Sequence, residues 1–424
     1  MGSIRLGDIG RLGGRDFSWY LLGQATSRFG TAFTTFAVPL VVYQITGSAV
    51  SLGLTMAASF LPHLLFGLVI GAVVDRLDRK RVMVLCDAAR AIVLLVMAWL
   101  VTATGNVAVL YVGAFVLTTL GIAFNAGGFA AVPYLVPADH LVRANARLEF
   151  AYAFGALTGP TLAGVAVLVV VPQALLIIDA ITYGTSVFSL LAIRQRFSDS
   201  ASAMPSNERS ATSLRTDVAE GLRLVWFNPL LRRIATLMLW VNFLDATLFA
   251  QLILLAKQQF RASDAQAAWL FGAAQVGILL AAALASRMRG QGRTGLRILG
   301  AQIGCGLATV ALGITENYFF ALFAWALYNG LSVWFNIHTS SLRQRIVPKR
   351  LLSRVMTVSS FLAWSAIPLG AVAGAAVAAR VADIGLIYMG IGVLTTLAAL
   401  AFSFGPLARA EGYQSAVESE GPSR

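Results

Sequence analysis

Hydrophobic and polar positions in this chain alternate by whole segments rather than by single residues. Twelve apolar stretches fall at about 17–43, 49–72, 82–103, 107–131, 148–171, 173–193, 231–256, 266–286, 295–315, 317–342, 354–379 and 384–404. Roughly 20 apolar residues let an α-helix cross the hydrocarbon core of a bilayer, and a longer stretch tilts. The pattern predicts an all-α integral membrane protein of twelve transmembrane helices. One connection is long. It runs from Arg194 to about Leu230 and splits the spans six and six. The expected organisation is an N-terminal segment 1–16, a six-helix half 17–193, a connecting loop 194–230, a second six-helix half 231–404 and a tail 405–424. Within the loop, Ser198–Ser210 has a linker's composition. Leu214–Phe227 places Val218, Leu222 and Val225 on one helical face, with Arg215, Asp217 and Glu220 elsewhere, before Asn228-Pro229 breaks it. That predicts a short amphipathic helix lying on the membrane surface.

Composition agrees. Hydrophobic residues make up 58% of the 424, and charged residues only 12%, against about 25% in a soluble protein. Mean hydropathy is +0.76. The 39 glycines suit helices that approach closely in lipid. A net charge of +13 raises the question of a nucleic-acid partner, and position answers it. With the N-terminus inside, only Lys257, Arg261 and Arg380 fall outside, and Arg28 and Arg90 lie within spans. The rest of the 32 Lys and Arg sit on the inner side. This is the positive-inside distribution. It predicts cytoplasmic termini and a basic face against anionic lipid, with no nucleic-acid partner. Cys86 and Cys305 belong to different halves, so neither a disulfide framework nor a metal site is expected, and no cofactor. The first apolar stretch is too long for a cleavable signal and lacks its small-residue site. Arg5, Arg11 and Arg15 precede it and hold the N-terminus inside.

The halves look duplicated. An offset of 211 residues places Phe124-Asn125 on Phe335-Asn336, Val136-Pro137 on Val347-Pro348 and Leu141 on Leu352. It also places Arg143 on Arg354, Phe150 on Phe361, Gly159 on Gly370 and Arg76 on Arg287.

Between spans 2 and 3 runs Gly71-Ala-Val-Val-Asp75-Arg76-Leu-Asp78-Arg79-Lys80-Arg81. Asp87-Ala-Ala-Arg90 follows in span 3. Ala144-Asn145-Ala146 leads into Gly155-Ala-Leu-Thr-Gly159-Pro160-Thr-Leu-Ala-Gly164 on span 5, and Glu220-Gly221-Leu-Arg-Leu-Val-Trp226 precedes span 7. On these residues the whole chain resembles the major facilitator superfamily, and within it the bacterial exporters of the macrolide-efflux and enterobactin-exporter type. The resemblance implies two six-helix halves about a central cavity, with a substrate site near mid-membrane. It implies that the Gly71–Arg81 loop is a latch closing the cytoplasmic side, with Asp75 its acidic member. It implies that the run at Gly155, Gly159, Pro160 and Gly164 resembles an antiporter signature, where small residues let helices touch and Pro160 bends one. The alternative for that run is an ordinary packing contact. The chain also departs from the family pattern. Asp78 stands where the loop usually has Gly. Ser286 stands opposite Asp75 in the second half. Thr31 stands where many relatives have an acid.

Few charges lie inside the spans. Asp87 and Arg90 are three apart, on one helical face, and read as a structural pair. Arg28 and Asp245 sit near the middle of spans 1 and 7, where a charge costs roughly 2.5–3.5 kcal/mol on insertion scales. Asp245 is the candidate to exchange a proton and compete for a cationic substrate. Arg28 is either its partner or a snorkelling side chain. Asp179 and Glu149 are further carboxylates, the latter assigned to the inner charge network. His63 and His338 read as structural. Asn125 and Asn336 occupy equivalent cavity-lining positions. Phe124, Phe129, Trp334, Phe335, Phe33, Phe36, Phe243 and Phe249 suit an apolar ligand, though lipid-facing rings give the same pattern.

No Gly-x-x-x-x-Gly-Lys-Ser/Thr, Gly-x-Ser-x-Gly or His-Glu-x-x-His occurs, so neither self-powered ATP use nor hydrolysis is expected. The expectation is a monomeric secondary transporter, not an enzyme, in the cytoplasmic membrane. It would export a small amphiphilic molecule (a drug, a macrolide-like compound or a siderophore) in exchange for H⁺. A nutrient importer of the same fold and a lipid-moving protein are the alternatives.

Overall fold

A computed structural model describes residues 14–74, 77–129, 131–137, 140–195, 197, 219–220, 222–287, 294–347, 349–381, 383–405 and 407. Twelve helices of 19 residues or more occur among them. They are α1 (Gly14–Thr46), α2 (Ala49–Val74), α3 (Arg79–Thr104), α4 (Ala108–Phe129), α5 (Leu141–Ala166), α6 (Ala174–Ala192), α7 (Pro229–Ala250), α8 (Asp264–Arg287), α9 (Thr294–Ile314), α10 (Tyr318–Ile346), α11 (Lys349–Ala378) and α12 (Ile384–Ser403). Two short helices, Val132–Leu135 and Leu252–Gln258, follow α4 and α7. Eleven of the twelve are long and apolar enough to cross a membrane. The remaining one, α5, carries Arg143, Arg147 and Glu149 early and Thr158, Pro160 and Thr161 later.

Local chemistry sets the helix ends. Asp78 is the N-cap of α3, accepting from the Arg81 N–H at 3.1 Å, and the Arg81 Nε lies 3.6 Å from the same carboxylate. The departure from Gly at this position therefore supplies a capping oxygen. Gly105 closes α3 at φ 62°, donating to the Val101 carbonyl. Asn228 caps α7 with Pro229 at its first position, so Asn228-Pro229 starts a helix as well as ending the previous segment. Asn317 and Asp383 cap α10 and α12. Helix α5 starts seven residues before the expected span and stops five before its expected end. The stretch Val167-Leu-Val-Val-Val171 is apolar but rich in β-branched residues, and Pro172 disfavours helical backbone at Val171. The expected amphipathic helix is helical over 222–227; 214–218 and 221 lie outside the described residues.

The chain packs as two compact units. One comprises Met1–Gly47, Ala58–Pro205 and Asp264–Gly272; the other comprises Ser48–Ala57, Ser206–Ser263 and Ala273–Arg424. In the first, α1 packs on α5 and α6, and α3 on α4 and α6. In the second, α7 packs on α11 and α12, and α9 on α10 and α12. These are the same pairings displaced by six helices. The 211-residue offset reaches individual contacts. A Cβ on Gly159 of α5 would collide with Ala32 of α1; adding 211 to both gives Gly370 of α11, whose Cβ would collide with Phe243 of α7. The start of α8 packs in the first unit, where a Cβ on Gly164 would meet the Ala265 carbonyl at 3.0 Å. The start of α2 packs in the second, where a Cβ on Gly53 would meet the Ala371 carbonyl at 2.6 Å.

The apolar cores also correspond. Phe124 is 4% exposed among Tyr20, Met83, Leu148 and Leu190. Phe335, its equivalent, is 2% exposed among Ile234, Leu237, Ile298 and Leu342.

Candidate functional site

In the first unit polar side chains of α1, α3, α4, α5 and α6 form linked contacts. Arg28 lies near the middle of α1. Its Nη2 donates to Asn125 Oδ1 on α4 at 3.1 Å. Its guanidinium lies over the ring of Tyr152 on α5, 4.7 Å from the centroid. The Tyr152 hydroxyl in turn donates to Gln24 Oε1 at 3.3 Å. Close helix contact makes this arrangement possible. Gly155, three residues beyond Tyr152, lets α5 lie against the α1 backbone, where a Cβ would meet the Phe29 nitrogen at 3.3 Å. Arg28 is exposed although it sits mid-helix.

Asp87 and Arg90 form the expected pair, Arg90 Nη1 lying 3.0 Å from Asp87 Oδ1. Asp87 is 0% and Arg90 7% exposed. The guanidinium is held between the Phe124 ring at 4.9 Å and the Tyr183 ring at 5.2 Å. A Cβ on Gly121 would meet Arg90 Nη2 at 2.9 Å. Phe124 thus serves as core and cation platform, not as the ligand-lining ring expected of it.

Beyond Tyr183 the network continues. The Tyr183 and Thr31 hydroxyls are 3.0 Å apart, so Thr31 ties α1 to α6. Asp179, 1% exposed, accepts from Thr34 and from Thr182 Oγ1 at 3.0 Å. The sequence marks Asp179 and Thr31 but not their partners. Thr182 lies one turn from Asp179, a visible spacing, but Thr34 lies 145 residues away.

In the second unit Asp245 neighbours Tyr328 and Cys305, and among the described residues the Tyr328 hydroxyl is buried without a hydrogen-bond partner. Among the same residues no Lys, Arg or His nitrogen lies within 4 Å of the Asp245 carboxylate. Trp325 and Tyr328 stack at 5.1 Å and 6°, and Phe249 packs edge-on to Trp325 at 5.2 Å. Asn336, the equivalent of Asn125, is turned back on its own helix, donating to the Ser332 carbonyl at 2.9 Å. His338 stacks on Trp334 at 4.8 Å and contacts its carbonyl. Phe33, Phe36 and Phe335 are buried and belong to packing; Phe249 is 40% exposed.

Of the loop residues, Gly71 ends in α2, Asp78 caps α3, and Lys80 Nζ donates to the Ile193 carbonyl just past α6. Asp75 and Arg76 lie outside the described residues. On α5, Gly155 and Gly159 touch α1, Gly164 touches the start of α8, and Pro160 lies inside the helix, buried. Among the described residues no group of three His, Cys, Asp or Glu side chains is placed to hold a metal.

Comparison with known proteins bears on the family and the fold. The family profile described as Major Facilitator Superfamily matches residues 20–371. A multidrug efflux pump, Tap, of Mycolicibacterium fortuitum is 28% identical over 374 residues, 82% of this chain and 86% of that protein. Macrolide efflux protein A of Streptococcus pyogenes is 30% identical over 170 residues, 38% of this chain and 40% of that one. Among solved structures, the nucleoside transporter NupG superposes with a TM-score of 0.73 at 13% identity, over 92% of this chain and 98% of that one. A bacterial homologue of the iron transporter ferroportin gives 0.68 at 18%, over 92% and 98%. These two show the fold alone.

Proposed function

The chain belongs to the major facilitator superfamily, and from that premise we propose that it exports small amphiphilic molecules in exchange for protons. It is a multi-pass membrane transporter, not an enzyme, and its relatives include efflux pumps. The observation that carries export is the likeness to a multidrug efflux pump over most of both chains.

The coupling step belongs to Asp245. A carboxylate inside a membrane helix costs up to roughly 2.5–3.5 kcal/mol on insertion scales, and Asp245 lies five residues before the end of α7. Asp87 offsets that cost with Arg90 and Asp179 with two hydroxyls, whereas Asp245 neighbours a phenol. With a neutral phenol beside it and, among the described residues, no cation within ion-pair distance, the carboxylate can take up and release a proton as access alternates. One charge moving through about 100 mV supplies about 2.3 kcal/mol, before any pH difference is added. The positive-inside distribution supports cytoplasmic termini in a cytoplasmic membrane. The Gly71–Arg81 loop would then lie on the cytoplasmic side as a latch between transport states. Nothing in the proposal requires more than a monomer.

The test is uptake of fluorescent lipophilic dyes into inverted membrane vesicles under an imposed pH gradient. Wild type should accumulate dye, and collapsing the gradient should abolish it. Asp245→Asn keeps the shape and removes the charge. It should reach the membrane in wild-type amount and lose gradient-driven accumulation. Accumulation surviving in Asp245→Asn would remove the proton from this residue.

A further inference from the structure

Two arginines lie inside the spans of the first unit, and their surroundings differ. Arg90 is buried, paired with Asp87 at 3.0 Å and covered by two aromatic rings. Arg28 is exposed, and among the described residues no carboxylate oxygen lies within 4 Å of it. Asp87 is already committed to Arg90. Glu149, a turn before Tyr152 on α5, is exposed and outside ion-pair distance. The groups that hold Arg28 are neutral: Asn125 as acceptor and Tyr152 as a ring.

A guanidinium presents five N–H donors in a planar fork. One reaches Asn125. Gln24, 3% exposed, keeps its Oε1 on the Tyr152 hydroxyl and leaves Nε2 buried with no hydrogen-bond partner. The site therefore offers an oriented cation and an unused amide donor, with no acid in ion-pair range to compete. Snorkelling does not account for this, because a snorkelling arginine extends away from mid-helix towards water, whereas Arg28 is held by side chains of α4 and α5. Such a donor set suits a bidentate oxyanion.

We propose that Arg28, Asn125, Tyr152 and Gln24 form an anion subsite that binds the carboxylate of an amphiphilic substrate, with Arg28 as the charge that selects it. This rests on the reading of the chain as a carrier of amphiphiles and names a substrate class for it. Asn125 positions the guanidinium through a hydrogen bond and Tyr152 through its ring. Apolar bulk then contributes affinity common to all amphiphiles, and Arg28 discriminates by charge.

The test is equilibrium binding to the purified full-length protein in detergent, with no ion gradient. The probes are pyrenebutyrate and its uncharged counterpart pyrenebutanol, followed by fluorescence anisotropy. Hydrogen bonds to a charged group contribute about 1.5–3 kcal/mol, which corresponds to an affinity ratio of about tenfold or more. Wild type should prefer the carboxylate by that ratio. Arg28→Gln should lose the preference and still bind the alcohol, Arg28→Lys should keep part of it, and Asn125→Ala should weaken it without removing the charge. Equal binding of both probes by wild type overturns the proposal, as does an undiminished preference in Arg28→Gln or no binding of pyrenebutyrate at millimolar concentration. If Arg28→Gln does not fold, Asn125→Ala and Arg28→Lys decide by the same ratio. Binding is read without transport, so a failure of proton coupling leaves this outcome distinct.

Discussion

Arg90→Ala is expected to cost roughly 3–5 kcal/mol of stability, the penalty for leaving one member of a buried ion pair without its partner. Asp87 has no exposed surface, and its ion-pair partner is 3.0 Å away. The lost side chain also fills the space between Phe124 and Tyr183, so a cavity adds to the charge penalty. The duplication supplies the control. Adding 211 to Asp87 and Arg90 gives Ile298 and Ala301, which are 0% and 4% exposed on α9. The same place in the other half is thus filled by an apolar pair. Replacing both members of a buried pair is often near neutral where breaking it is not. Asp87→Ile with Arg90→Ala should therefore recover much of the loss. Thermal unfolding in detergent and the yield of monodisperse protein measure both variants. An unchanged midpoint in Arg90→Ala would show that the pair does not support the fold.

Gly370→Ala is expected to be the second severe change. The added Cβ would sit on the Phe243 carbonyl, within 2.9 Å of the Phe243 Cα. The obstacle is backbone, so α11 and α7 must separate, at a cost of roughly 1–3 kcal/mol or more. Two linked features would move with them: the Thr247 hydroxyl, which donates to the Gly370 carbonyl at 3.1 Å, and Asp245, two residues beyond Phe243. Loss of efflux should therefore accompany loss of stability. Gly300→Ala and Gly390→Ala meet nothing within 4 Å and should be neutral or stabilising by about 0.5–1 kcal/mol, since alanine is the better helix former. If all three behave alike, close approach at Gly370 is not limiting.

How much was legible in the sequence follows from what each signal encodes. The helices were legible because crossing a bilayer demands long apolar runs. The end of α5 was not, because Val167–Val171 satisfies hydropathy while opposing helix geometry. The pair Asp87–Arg90 was legible because its spacing lies on one helix. The partners of Arg28 were not, since Asn125 and Tyr152 come from helices 97 and 124 residues away. One indirect signal existed: Gly155, read as a contact glycine, places Tyr152 one turn along the same face. The aromatic residues misled, because Phe124 and Phe335 satisfy a cavity pattern and a core pattern equally, and only packing separates the two.

The most direct test of the central claim is proton movement driven by substrate. Purified protein is reconstituted into liposomes with a pH-sensitive dye sealed inside, and a transported fluorescent amphiphile is added outside. The account predicts that the lumen turns alkaline as amphiphile enters with wild type, and that Asp245→Asn produces no such change. Amphiphile entry with no proton movement in the wild type, or proton movement in the same direction as the amphiphile, would contradict it.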